Sequence, residues 1–387
     1  MSRIFREKKV FALFASVIFI SVLLIFPSYC VQGISNGLVC ASEIIIPSLF
    51  PYIVLSCFIM RSGADSIIGI LFSKPMNRLF SVPQICAACI ILSFIGGFPV
   101  GAKCVSVLYS QKKITTEQAR QMMYFCVCPG PAFMISAVGT VMLGNRNAGV
   151  IIYISQIISG MIIGIITGYA NKRKTAEYKT EKVCLSYKDN SGITSHILAS
   201  VSDAADSVIG MTALILLFSM MENVIRNTGL YDLLGSLVSF SGADERFARI
   251  ILPVLLEVTG GCNAVKEASL PLWCFALCTG FGGLCVHMQI FHICSDIHLK
   301  YGRYLLFRVI NAMLSAVITF FICRVFSPAV QVFAAGGGDT AHISSATAAG
   351  SISLIVLSVI FVLTMHRGRF SAGTDIFQTI KNCLFRK

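Results

Sequence analysis

Six ionisable side chains lie within apolar stretches of this 387-residue chain, where a charge is expensive: Glu43, Lys103, Glu222, Glu257, Lys266 and Glu267. A charge at the centre of a membrane helix costs about 2.5–3.5 kcal/mol on insertion scales, so each needs a partner or a task. Glu257 comes just before Thr259-Gly260-Gly261, with polar Asn263 following. A carboxylate there could accept hydrogen bonds from a substrate, carry a coupling H⁺ or Na⁺, or cap backbone N–H groups freed by a break in a helix. Lys103 closes a glycine-rich stretch and could meet an anionic group, or could snorkel to the membrane surface and fix topology. Glu222-Asn223, at the end of an outward span, is expected at the interface.

Glu257 and Lys103 belong to two interruptions. Ile90 to Lys103 reads I-I-L-S-F-I-G-G-F-P-V-G-A-K, an apolar run broken at Gly96, Gly97, Pro99 and Gly101, and Glu257 to Lys266 reads E-V-T-G-G-C-N-A-V-K. In hydrocarbon every backbone N–H and C=O needs an internal partner, so a break at membrane depth must be covered by protein or line a watery cavity. Interrupted segments at corresponding places of two halves point to a transporter's binding site. Pro129-Gly130-Pro131 and Gly280 to Gly283 open backbone groups in two further spans, either for binding or for close helix packing. The candidate substrate-binding residues are Gly97, Phe98, Pro99, Gly101, Lys103, Cys128, Pro129, Gly130, Glu257, Thr259, Gly260 and Asn263.

No Ser-His-Asp order, phosphate loop or zinc signature appears, so neither an enzyme nor a cofactor is expected. His287 and His292 are five residues apart and share no clean helical face. Cys86 and Cys89 form a C-x-x-C without nearby charge or a second pair, and read, like the other scattered cysteines, as small packing residues.

The elements that carry these residues follow from composition. The chain is 56% hydrophobic and 13% charged, with a mean hydropathy of +0.79, far from the roughly half apolar and quarter charged content of soluble domains. At about 20 residues per span, about seven or eight spans consume nearly all of it, leaving no sizeable soluble domain. The net charge of +13 therefore speaks of membrane orientation rather than nucleic acid, which is not an expected partner. Membrane lipids, a small polar solute, and further copies of the chain or other membrane proteins are.

Val10–Phe26 is the first expected span, leaving the cytoplasm; a signal peptide competes, but P-S-Y-C-V-Q-G behind it lacks an A-x-A cleavage pattern. Ile44–Met60 returns, kinked or started late by Pro47 and Pro51. Ile85–Tyr109, basic on both flanks, is expected as a re-entrant hairpin. A span from Met122, broken at Pro129-Gly130-Pro131, crosses outward, and Ala148–Tyr169 crosses back. A basic loop with an amphipathic stretch at Ile193–Asp206 separates the halves. Val208–Val224 crosses outward, Asn227–Arg249 stays outside, and Ile250–Ala268 carries the second break. Leu270–Cys294 crosses inward and Leu305–Phe326 outward. An outer loop, a last span at Ser351–Met365 and a basic interfacial tail follow.

Twenty-five of the 31 lysines and arginines fall on the inner segments of this topology, the exceptions being Arg146, Arg226, Arg246, Arg249, Lys266 and Arg324. That bias sets the orientation, with both termini cytoplasmic in a multi-pass cell-membrane protein. Each half runs span, broken re-entrant segment, glycine-broken span, plain span, in opposite membrane directions. The expected fold is all-α, polytopic, with inverted repeats, two re-entrant hairpins and broken helices. The segments are an N-terminal helix at 1–41, a first repeat at 42–170, the basic loop and amphipathic helix at 171–206, a second repeat at 207–326, and the remainder at 327–387. The two hairpin tips should meet near the midplane.

Three blocks carry a resemblance: G-G-F-P-V-G-A-K-C-V-S-V-L-Y from Gly96, F-C-V-C-P-G-P-A-F-M-I-S-A-V-G from Phe125, and L-L-E-V-T-G-G-C-N-A-V from Leu255. From about Ser42 to Phe326 the chain resembles the sporulation integral membrane protein YlbJ family, which carries a nucleoside-recognition, or Gate, domain. The resemblance implies a role in spore cortex formation and a module similar to those of concentrative nucleoside transporters. Where the family pattern has Asn or Ser ahead of Gly-Pro, this chain has Cys126-Val127-Cys128-Pro129, which removes hydrogen-bonding groups. The function expected is a permease for a small polar or nucleoside-like solute in sporulation; the competing expectation is a non-transporting scaffold for spore-envelope assembly.

Overall fold

Glycine and proline, more than polar loops, decide where the helices of this protein stop. A computed structural model describes residues 2–72, 74, 76–172, 192–231, 236 and 245–325, among which there is no strand. These residues belong to one unit, 1–332. Helices α1 (Ser2–Ile25) and α2 (Pro27–Cys40) meet at Phe26, and the stretches Leu13–Ile25 and Pro27–Glu43 are bent by 97°. Pro27 sits in the first turn of α2, where a missing N–H costs nothing. A π-helical turn, Ala41–Ile45, leads into α3 (Ile46–Arg61), which keeps Pro51 inside it. Gly63, at φ +77°, turns the chain into α4 (Ala64–Leu71), bent by 85° from α3.

The first half continues with α5 (Cys86–Gly96), α6 (Phe98–Ser110), α7 (Thr116–Met123), a π-helical segment (Ala132–Met142) and α8 (Arg146–Lys172). The second half consists of α9 (Ile193–Asn227), α10 (Glu245–Leu256), α11 (Val258–Glu267), α12 (Leu272–Phe281), α13 (Gly283–Ile293) and α14 (Tyr301–Val325). The order repeats. Two short helices split by a single residue, Gly97 or Glu257, precede a broken pair and one long helix in each half.

The split pairs fold back on themselves. Cys89 Sγ lies 3.8 Å from the Gly101 carbonyl oxygen across α5 and α6. In the second pair a Cβ on Gly261 would stand 2.9 Å from Val254 Cα. Helices of 10 to 13 residues span about 15–20 Å, too short to cross a hydrocarbon core of about 30 Å. By contrast four stretches among the described residues, Arg146–Asn171, Ile193–Asn227, Leu272–Ile293 and Tyr301–Val325, are long and apolar enough to cross, and up to six are if each bent pair counts as one span. The protein is a polytopic all-α membrane protein.

Two expectations are corrected. The N-terminal helix expected at 1–41 is two helices, and the P-S-Y-C-V-Q-G flank of the first span opens the second of them, α2, which packs closely on α9: Cβ atoms on Gly33 and Gly37 would stand 2.7 Å from Met220 Cα and 2.9 Å from Ser219 Cβ. Small residues four apart let two backbones approach. The stretch Ile193–Asp206 is no separate amphipathic helix but the first turns of the 35-residue α9, which at 1.5 Å per residue is about 52 Å long and outreaches the bilayer core. Most of the basic loop, and everything after Val325, lie outside the described residues.

Polar contacts tie the expected inner turns together. Arg61 Nε donates to Asp203 at 2.9 Å, joining α3 to α9. Lys113 Nζ meets the buried Asp65 carboxylate at 2.9 Å. Arg120 reaches across the halves to the His298 carbonyl, at 3.1 and 2.7 Å from Nε and Nη2.

Candidate functional site

Gly97 ends α5 and begins α6 at φ +92°, a conformation side chains rarely adopt. It rests on Gly130: a Cβ on Gly97 would stand 3.0 Å from Gly130 N, and one on Gly130 3.1 Å from Gly97 Cα. Residues 127–130 are non-helical, so the Cys128-Pro129-Gly130 stretch presents open backbone to the hairpin tip. Gly101, one turn on, lies so close that a Cβ would overlap the Cys126 carbonyl oxygen. Phe98, Pro99 and Cys128 are buried there, and Lys103 is half-buried farther along α6.

Glu257 breaks the second hairpin with ordinary extended backbone, φ −149° and ψ 138°, and its carboxylate accepts from the Gly260 N–H at 2.7 Å. That is N-cap chemistry, one of the alternatives open from sequence. Opposite stands Gly283, at φ +73°, where a Cβ would be 3.1 Å from Glu257 N and Cα. A Cβ on Gly260 would overlap the Glu222 carboxylate. Glu222 is therefore not an isolated interfacial residue. It sits beside the break, 3.6 Å from Arg226 Nη2, while Arg226 Nη1 is 3.0 Å from Glu267. Thr259 and Asn263 are half-buried on α11, and Lys266 is exposed.

Each hairpin tip thus sits on the broken span of its own half, and the two halves touch through Phe98. Its ring carbon Cε1 would be 3.6 Å from a Cβ on Gly282, the residue between α12 and α13. The first tip thus reaches the broken span of the second half, on which the Glu257 tip also rests through Gly283.

A second link went unread in the sequence. The charge pattern groups Arg308 with the inner turn at Lys300 and Arg303, but the structure buries it inside α14, 1% exposed. Its Nη1 donates to the Val127 carbonyl in the first-half break and its Nη2 to the Gly280 carbonyl in the second. Gly280 O also accepts from Asn311 at 3.2 Å; Asn311 bonds Gln156 at 3.2 Å and Ser159 at 2.8 Å on α8. Gln156 Nε2 continues to Ala276 O at 2.8 Å and Thr279 at 3.1 Å. Tyr304, Arg308, Asn311, Ser315 and Thr319, spaced by four and three, form a buried polar stripe along an otherwise apolar helix. That spacing was the available signal.

His287 on α13 is buried, its Nδ1 3.4 Å from Tyr304 OH and its ring edge-on to Phe281 and Tyr304. His292 instead faces Gly210 on α9. Cys86 and Cys89 are fully buried in the core among Ala87, Ala88 and Ile90. Among the described residues no three His, Cys, Asp or Glu side chains come together as a metal site.

Comparison with known proteins agrees with a membrane role. The chain is 23% identical over 322 residues to "Sporulation integral membrane protein YlbJ" of Bacillus subtilis (strain 168), an alignment covering 77% of this chain and 78% of that protein. No protein-family model matches the chain, and no solved structure does. The Gly96, Phe125 and Leu255 blocks fall on the three helix breaks and this alignment reaches into both halves, which supports the assignment of the chain to the YlbJ family of integral membrane proteins.

Proposed function

We propose that this protein is a permease that binds a small polar solute where its helix breaks converge, and that, like its B. subtilis relative, it serves sporulation. The observation that carries the reading is the contact of Phe98 with Gly282, which joins the Gly97–Gly130 junction of one half to the Glu257–Gly283 junction of the other. Four interruptions at one place in an apolar protein concentrate backbone donors and acceptors where hydrocarbon supplies none. The repeated element order supports two halves that rock about such a site. The basic turns at Arg61, Lys113 and Arg120 support an inner face at that end of the hairpins, with both termini inside. A nucleoside-like solute and a part in cortex formation rest on the resemblance described above.

The test is reconstitution of the full chain in lipid nanodiscs and proteoliposomes, with melting temperature and uptake measured against nucleosides, amino acids and wall precursors. At least one should stabilise the protein and enter the vesicles, with Glu257→Gln weakening both effects. The scaffold reading gains, and the permease fails, if no solute acts, Glu257→Gln and Lys103→Ala leave sporulation intact, and disruption of the basic segment 172–188 abolishes it.

A further inference from the structure

We propose that Arg308 and His287 form an anion-recognition site, so that the solute carries a carboxylate or phosphate. The inference rests on the permease reading and names its class of solute. A guanidinium keeps its charge and offers five N–H donors in a fixed fork suited to oxyanions. Arg308 commits one bond from each Nη to a carbonyl, while its Nε has no hydrogen-bond partner among the described residues. No ion pair joins it to a carboxylate among those residues either.

His287 supplies the independent observation. It is 1% exposed, and its Nε2 likewise has no hydrogen-bond partner among the described residues. Its Nδ1 approaches Tyr304 OH at 3.4 Å, and Tyr304 lies one helical turn from Arg308 on the same face of α14. With Tyr304 donating to Nδ1, the neutral ring carries its proton on Nε2 and becomes a donor. Two buried side chains on two helices, linked through Tyr304, therefore each hold one nitrogen with unused capacity, whereas buried polar groups are nearly always satisfied.

A purely structural role, Arg308 satisfying the open Val127 carbonyl of the first-half break and the Gly280 carbonyl at the end of α12, accounts for the two Nη bonds. It leaves Nε and His287 unexplained. Both side chains are enclosed, so a solute reaches them only when the covering helices separate, as alternating access requires.

The experiment uses the full chain in nanodiscs and compares matched neutral and anionic probes, uridine with uridine 5′-monophosphate and nicotinamide with nicotinate, by thermal shift and equilibrium binding. The anionic member of at least one pair should bind about tenfold or more tighter than its neutral partner, as a charge-assisted hydrogen bond allows. His287→Gln should weaken it about tenfold, and Arg308→Lys, which keeps the charge and loses the fork, should weaken it further. If Arg308→Lys does not fold, His287→Gln decides alone. Equal binding of neutral and anionic probes, or unchanged anion affinity in the variants, overturns the anion site and leaves the permease standing; binding by none of the probes overturns the anion site, while uptake of another solute would still preserve the permease.

Discussion

Gly97 and Glu257 occupy the same place in two matching sets of helices, yet they break the chain by different means. Gly97 relies on left-handed backbone, and its tip is held by close contact with the Gly130 backbone. Glu257 uses extended backbone and a carboxylate that caps α11 through the Gly260 N–H at 2.7 Å, and the left-handed glycine falls on the opposite side, at Gly283. Around the first junction the neighbours are backbone, Phe98 and cysteines; around the second are Glu222, Arg226 and Glu267. One architecture has thus been built with backbone fit in one half and with charge in the other. Substitutions in the first junction should cost folding, and those in the second should act through hydrogen bonding and charge.

The largest effect should come from Gly101→Ala. Its Cβ would overlap the Cys126 carbonyl, and relief requires a backbone shift, costing about 3 kcal/mol or more, the upper end for overpacking. The expected readout is loss of monodisperse protein on size exclusion, and a variant that melts like the parent would remove the backbone-fit half of the comparison. Glu257→Ala should lose about 0.5–2 kcal/mol by removal of an N-cap, while Glu257→Gln, which keeps an accepting oxygen, recovers most of the lost melting temperature. Equal losses in the two variants would show that the carboxylate acts by charge rather than as a cap. Smallest is Lys103→Ala, half-buried on α6 and outside the Gly97–Gly130 contact, expected within about 0.5 kcal/mol of the parent. A loss as large as that of Glu257→Ala would make the first junction a charged one too.

The breaks were legible because glycine and proline in an apolar run have few other uses: Gly97, Pro129-Gly130-Pro131, Glu257 and Gly282 all fall at or beside the interruptions read from sequence. Their pairing was legible only as a pattern of order, since nothing in a linear chain says that Gly97 rests on Gly130 or Phe98 on Gly282. The separation of α2 from α1 was not legible because the polar Gln32, Ser35 and Asn36 make the stretch after Pro27 read as the tail of the first span; the Gly33 and Gly37 pair was the trace of its packing. Arg308 was missed because one arginine seven residues into a helix looks like a snorkelling end. Only the spacing with Tyr304, Asn311 and Ser315 marks it as inward-facing. The π-helical segment 132–142 left no sign, because a register change in the backbone has no composition of its own.

Photo-crosslinking from position 98 tests most directly whether the two halves meet at their breaks. With benzoylphenylalanine in place of Phe98 in the full chain in nanodiscs, irradiation followed by peptide mass spectrometry should yield an intramolecular cross-link to the segment around Gly282 and Val286. Cross-links confined to lipid or to first-half peptides would contradict the convergence, and with it the site.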